Sequence, residues 1–146
     1  SLYKKDDGLE TPFNIYIEQL IPRLIETYQI DESKIQLKMT LDEVFLNLDE
    51  SLPCGLLINE IVSNSLKHAF PKEKTGKLKI DLFKDQDIIS LTISDNGVGF
   101  NQSKEADPKE TFGLLLIDTL VKQLEAEFSC TNENGVHYEI KWTSNS

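Results

Sequence analysis

At 146 residues the chain has the length of a single domain. Apolar residues make up 39% of it and charged residues 27%, proportions that allow a buried core without disulfide or metal staples. With 25 acidic against 15 basic residues the formal charge is -10, a field that excludes DNA, RNA and anionic membranes as general partners and leaves any bound polyanion dependent on local lysines and a cation.

Residues 1–10 carry no periodic pattern and read as a linker or the stub of an upstream domain, with the domain proper at 11–143 and a frayed tail at 144–146. Thr11-Pro12 opens a helix with Phe13, Tyr16, Ile17, Leu20, Leu24 and Tyr28 at helical spacing, and Pro22 implies a bend or a broken turn within it. Ile35, Leu37 and Met39 alternate, as do Val44, Leu46 and Leu48, predicting two strands joined around Asp42-Glu43. A second helix is predicted from near Ser51, with Pro53 in its first turn, to a point before Pro71. Leu78, Ile80 and Leu82, then Ile89, Leu91 and Ile93, predict neighbouring antiparallel strands around an Asp85-Gln86-Asp87 turn. Residues 101–110 hold no apolar anchor and read as a loop, while Gly113 to Leu124 has a helical pattern. Ala126, Phe128 and Cys130 alternate before an Asn134-Gly135 hairpin turn into Val136, Tyr138, Ile140 and Trp142. The expected architecture is α/β, a two-layer sandwich in which a mixed, mostly antiparallel sheet is covered on one face by about three helices. Cys54 and Cys130 lack metal-ligand spacing and are expected as buried thiols in a reducing compartment. No apolar run approaches the roughly 20 residues that span a bilayer, and no basic-then-apolar leader is present, so a cytoplasmic domain without direct membrane contact is expected.

Two segments carry the chemistry. Along Asn59-Glu60-Ile61-Val62-Ser63-Asn64-Ser65-Leu66-Lys67-His68-Ala69, helical rotation puts Ile58, Ile61, Val62, Ser65 and Ala69 on one apolar or small arc. Glu60, Asn64, Lys67 and His68 fall on the other, and together they offer a carboxylate, an amide oxygen, an ammonium and an imidazole, a set suited to a hard cation and a polyphosphate. Asp95-Asn96-Gly97-Val98-Gly99 follows a strand and reads as a site shaped by backbone beside one fixed carboxylate.

The run from Ser51 to Phe70 resembles the N box, Asp95 to Phe100 the first glycine box, Thr111 to Ile117 a shortened second glycine box, and Glu133 to Ile140 the closing hairpin of a sensor histidine kinase ATP-binding domain. These domains belong to the superfamily of gyrase, chaperone, histidine-kinase and mismatch-repair ATPases. The resemblance covers residues 11–142 and is closest to the branch with an alternative histidine-containing dimerisation domain and a short ATP lid. It implies ATP and Mg2+ as cofactors, Asn64 as the Mg2+ ligand, and Asp95 as acceptor of the adenine amino group, which distinguishes adenine from guanine. It further implies Glu60 and Lys67 as catalytic residues, and Asn59, Lys67, His68, Gly97, Gly99, Phe100, Phe112, Gly113 and Leu114 as nucleotide contacts. Gly113 would start a helix whose free amides face phosphate, and 101–110 would be the lid.

The implied activity is transfer of the ATP γ-phosphoryl group to a histidine on a separate dimerisation domain, and from there to a response regulator receiver, with the isolated domain monomeric and silent in autophosphorylation. Departures bear on this. Val136 stands where the hairpin commonly carries Thr, Glu110-Thr111-Phe112 stand where a fuller second box has glycines, and no segment resembles the dimerising hairpin. His137 alternates with Val136 and Tyr138 and is expected to face solvent. The alternatives are an anti-sigma-type serine kinase, a gyrase-like ATP hydrolase using Glu60 as base, and a degenerate nucleotide-binding module.

Overall fold

The computed structural model describes residues 3–5, 8–68, 75–97 and 108–146. In chain order the elements are β1 (Tyr3–Lys5), β2 (Gly8–Pro12), α1 (Phe13–Thr27), a 3-10 turn (Glu32–Lys34), β3 (Ile35–Leu41), β4 (Phe45–Asn47), α2 (Leu48–His68), β5 (Gly76–Asp85), β6 (Ile88–Asp95), α3 (Pro108–Leu124), β7 (Glu127–Asn132) and β8 (Val136–Thr143). The main sheet has the order β3-β5-β6-β8-β7, parallel only at β3–β5. A small antiparallel sheet has the order β1-β2-β4.

Period-two alternation makes one face of the main sheet apolar. Leu78, Ile80, Leu82, Ile89, Leu91, Ile93, Val136, Tyr138, Ile140 and Trp142 are buried there. They meet the buried stripes of the three helices in one core: Phe13, Ile17, Ile21, Leu24 and Ile25 of α1, Cys54, Leu57, Ile58, Ile61, Val62 and Leu66 of α2, and Ile117, Leu120, Val121 and Leu124 of α3. The predicted sandwich is therefore the observed one.

Several boundaries differ from the sequence expectation, each for a nonlocal reason. Within 1–10, expected as a linker, Tyr3–Lys5 and Gly8–Pro12 are strands, because Thr11 and Pro12 pair with Leu46 and Phe45 more than thirty positions on. β3 and β4 form no hairpin. Asp42 continues the pairing with β5, its N–H donating to the Leu82 carbonyl at 2.8 Å and its carboxylate accepting from the Lys84 N–H at 2.9 Å. The chain is then turned onto α1 by Phe13 N–H to the Val44 carbonyl and Val44 N–H to Asn14 Oδ1. α1 runs through Pro22, which lies on the exposed face, where water can serve the carbonyl left without a donor. α2 starts three residues before Ser51 because the Asn47 side chain accepts the Glu50 N–H at 3.1 Å, an N-cap hidden at the end of a strand. α3 starts at Pro108 and so takes in residues expected in the loop.

The tail does not fray. Trp142 Nε1 donates to Glu50 Oε1 at 2.9 Å, Ser144 Oγ to Glu50 Oε2 at 3.0 Å, and the Asn145 N–H and Ser146 Oγ also donate to this carboxylate. Glu50 is buried, and these donors offset its desolvation. Cys54 is buried as expected, but Cys130 is exposed, since β7 is an edge strand whose residues lie beyond the helical cover.

Candidate functional site

The site begins where β6 ends. Asp95 is the last residue of the strand and only 8% exposed, so its carboxyl needs partners. Three donors from three parts of the chain supply them. The Gly97 N–H reaches Oδ1 at 3.0 Å, the Val136 N–H reaches the same oxygen at 3.2 Å, and the Ser65 hydroxyl reaches Oδ2 at 2.8 Å. Asn96 secures the same turn from the other side, its Oδ1 accepting the Lys77 N–H at 2.6 Å and its own N–H donating to the Lys77 carbonyl at 3.3 Å.

The β7–β8 hairpin closes over this turn. Asn132 pairs with Val136, leaving three loop residues, and Asn134 and Gly135 take positive φ values of 55° and 115°. A Cβ on Gly135 would collide with the Asp95 carbonyl and the Asn96 Cα. The Asn-Gly signal thus marks a close backbone approach as well as a turn.

α2 supplies the second wall. Glu60 and Asn64 are half-buried one turn apart, and Asn59, Lys67 and His68 are exposed. α3 crosses this wall at Gly113, where a Cβ would run into Glu60 Oε1 and would lie 3.9 Å from Asn64 Nδ2. Gly113 therefore does not start its helix. It lies past the first turn, where backbone N–H groups are spent within the helix, and what it provides is room for the Glu60 carboxylate. Phe112 and Leu114 flank it at 66% and 54% exposed, outside the core.

Glu60, Asn64, Asp95, Gly97 and Gly113 are thus gathered around the end of β6 and the facing side of α2. Lys67 holds its ammonium 5.5 Å from the centre of the Tyr28 ring. His137 lies on the exposed face of β8, as expected. Gly99, Phe100 and the expected lid residues 101–107 lie outside the described residues.

The local field is negative. The Tyr138 phenol is pushed well above its ordinary value, first by burial and then by the charges of Cys130, Asp95 and Glu60. The Cys130 thiol is raised by partial burial and by Asp95. Among the described residues no group of three or more His, Cys, Asp and Glu side chains could cage a metal by itself. A cation here would suit Mg2+, which keeps water and phosphate oxygens in its shell and needs only one or two protein oxygens, such as that of Asn64.

Ser65 escaped the sequence reading, which placed it on the small, apolar arc. The available signal was a hydroxyl facing a core, where it needs a partner. The two backbone donors to Asp95 had no side-chain signal at all.

Known proteins resemble this chain in sequence and in fold. Residues 20–136 match the family described as the histidine kinase-like ATPase domain. The chain is 29% identical over 84 residues to the serine-protein kinase RsbW of Listeria innocua, a match covering 48% of this chain and 54% of that protein. It is 36% identical over 81 residues to the signal transduction histidine-protein kinase/phosphatase DegS of Bacillus subtilis, covering 55% of this chain and 20% of DegS. It thus spans about half the length of the first relative and a fifth of the second. The fold is shared with the histidine kinase domain of a blue-light activated histidine kinase of Erythrobacter litoralis, at a TM-score of 0.79 and 21% identity over 91% of this chain and 61% of that one. No helix among the described residues is long and apolar enough to cross a membrane. On the match over most of its length, the chain belongs to the histidine kinase-like ATPase domain family.

Proposed function

We propose that this domain binds ATP with Mg2+ and presents its γ-phosphoryl group to a histidine on a separate dimerisation domain, which passes it to a receiver. The observation that carries the reading is the buried Asp95 carboxyl, fixed by three donors, one of them Ser65 of α2, the helix that also carries Glu60 and Asn64. Asp95 accepts an N–H of the adenine amine, a contact that neither water nor a flexible surface carboxylate would orient as well. Gly97 lets the backbone lie flat against the base. Asn64 offers its amide oxygen to Mg2+, and the metal, when bound, neutralises phosphate charge. Glu60, kept in place beneath Gly113, orders water around that ion or assists the attacking imidazole. Lys67 takes part only after leaving Tyr28, a contact worth roughly 0.5–1 kcal/mol at an exposed position.

A titration calorimetry series tests this reading. The chain should bind Mg-ATP, Asp95→Ala should abolish binding without loss of the circular dichroism spectrum, and Asn64→Ala should weaken binding only when Mg2+ is present. Unchanged ATP affinity in Asp95→Ala refutes it.

A second reading has its own support, since RsbW, a serine-protein kinase, matches over more of its own length than DegS does. Transfer to a serine leaves acid-stable phosphate on the acceptor, and transfer to a histidine leaves acid-labile, base-stable phosphate. Treating labelled acceptor with acid separates the two.

A further inference from the structure

We propose that Ser65 is a specificity-determining residue, its hydroxyl and two backbone N–H groups together deciding which purine edge Asp95 can receive. The inference rests on the ATP reading above and deepens it. Asp95 and Ser65 are both more than nine-tenths buried, at 8% and 6% exposed. Oδ1 of Asp95 accepts from the Gly97 and Val136 N–H groups at 3.0 and 3.2 Å, which occupies both of its lone pairs. A backbone N–H only donates, so whatever side chain stands at this position must turn an acceptor toward that pair. Oδ2 accepts the Ser65 hydroxyl at 2.8 Å and, among the described residues, has one acceptor direction left. The polarity of the site is therefore fixed on the backbone side and adjustable on the Ser65 side, because a hydroxyl can either donate or accept.

A 6-aminopurine brings an N–H to the remaining lone pair of Oδ2. A 6-oxopurine brings a carbonyl and meets acceptor with acceptor. Without the Ser65 hydroxyl, Oδ2 would have two open directions and room for a water that can donate to a 6-oxo group, so discrimination should fall. In Asp95→Asn the side-chain carbonyl must serve Gly97 and Val136, which sends the NH2 group to the Oδ2 position. Ser65 can then accept one amide hydrogen and direct its own proton to the carbonyl one helical turn back. The second amide hydrogen faces the base and suits a 6-oxo group.

The test measures affinities of the whole chain for Mg-ATP and Mg-ITP, which differ at the purine 6-position and at the N1 proton that follows from it. The native chain should prefer ATP by at least about 100-fold, as a site built around one hydrogen bond rejects an analogue that lacks the donor. Ser65→Ala should reduce that preference about tenfold, the scale of one charge-assisted hydrogen bond. Asp95→Asn should bind ITP more tightly than the native chain does, and adding Ser65→Ala to it should remove the gain by stranding an amide hydrogen. If Ser65→Ala does not fold, Ser65→Cys, of similar size and a weaker donor, gives the same readout. An unchanged ATP-to-ITP ratio in the Ser65 variant, with both affinities lowered alike, overturns the proposal and leaves Ser65 a structural hydroxyl. No gain of ITP binding in Asp95→Asn also overturns it. A native chain that binds neither nucleotide overturns the ATP reading itself, and this inference with it.

Discussion

Gly135 lies so close to Asp95 that no residue with a Cβ fits between the hairpin turn and the Asp95 carbonyl. Its φ of 115° adds a backbone conformation that side chains rarely tolerate. Gly135→Ala should therefore cost about 2–4 kcal/mol, from strain and from the displaced Val136 N–H that holds Asp95. Urea denaturation would measure it. A loss under 0.5 kcal/mol would mean that the turn yields more readily than its packing implies.

Gly113 should behave differently. Its neighbour is the end of a flexible Glu60 side chain, and alanine gains about 1 kcal/mol over glycine in a helix interior. Gly113→Ala should leave the melting temperature unchanged or slightly raised while weakening Mg-ATP binding about tenfold, by displacing Glu60 from beside Asn64. Equal losses of stability and affinity would point to general damage.

Glu50 tests the anchoring of the tail. Glu50→Gln keeps the size but removes the charge that four donors share, and should cost about 2–3 kcal/mol. The Trp142 indole N–H keeps an amide oxygen to donate to, so its bond is weakened and not lost, and amide exchange should speed up at Asn145 and Ser146. Unaltered exchange there would show that the tail is held by other contacts.

Alkaline pH should reveal Cys54. Complete burial, then the Glu50 charge, raise the thiol above its ordinary value of 9.0. The unfolded chain therefore releases this proton near pH 9 while the folded chain keeps it. The associated stability is complete below that point and declines as pH rises, by about 1.4 kcal/mol per unit. Denaturation between pH 9 and 10 should show this decline, to which the raised Cys130 thiol and, toward pH 10, the raised tyrosines Tyr16 and Tyr138 add their own share. In Cys54→Ala the slope should be flatter, although the variant starts less stable from the cavity it leaves. Parallel profiles for both proteins would assign the decline to other groups.

The phosphoryl-transfer reading predicts silence from the isolated chain. His68, at the end of α2, and His137, on the exposed face of the sheet, belong to rigid elements. Neither is free to meet a phosphoryl group in line. Incubation with γ-labelled ATP should give no acid-labile label until a helical histidine domain is added. Stoichiometric label that vanishes in His68→Ala would make His68 an acceptor.

What the sequence disclosed follows the range of the forces involved. The core faces of α2, β5, β6 and β8 were readable because burial imposes periods of 3.6 and 2 on nearby residues. Asp95 and the two glycines beside it stood out for a similar reason, since a strand ending in such a turn is a local event. The start of α2 was missed because Asn47 serves both a strand and a cap. β2 and the anchored tail depend on partners far along the chain, Leu46 for one and Glu50 for the other, and no window of ten residues contains both members. The grip on Asp95 was illegible for a further reason, because two of its three donors are backbone groups that any residue but proline would supply.

The two thiols divide the chain for an experimenter. Cys54 is sealed in the core, whereas Cys130 stands open on the edge strand, paired in register with Tyr138 and within electrostatic reach of Asp95. A maleimide dye should attach to the native chain at one place, without prior removal of the other cysteine. That place is near Asp95, at the end of the domain proposed to take the base, so on that reading a single fluorophore there would report nucleotide arrival and departure in real time.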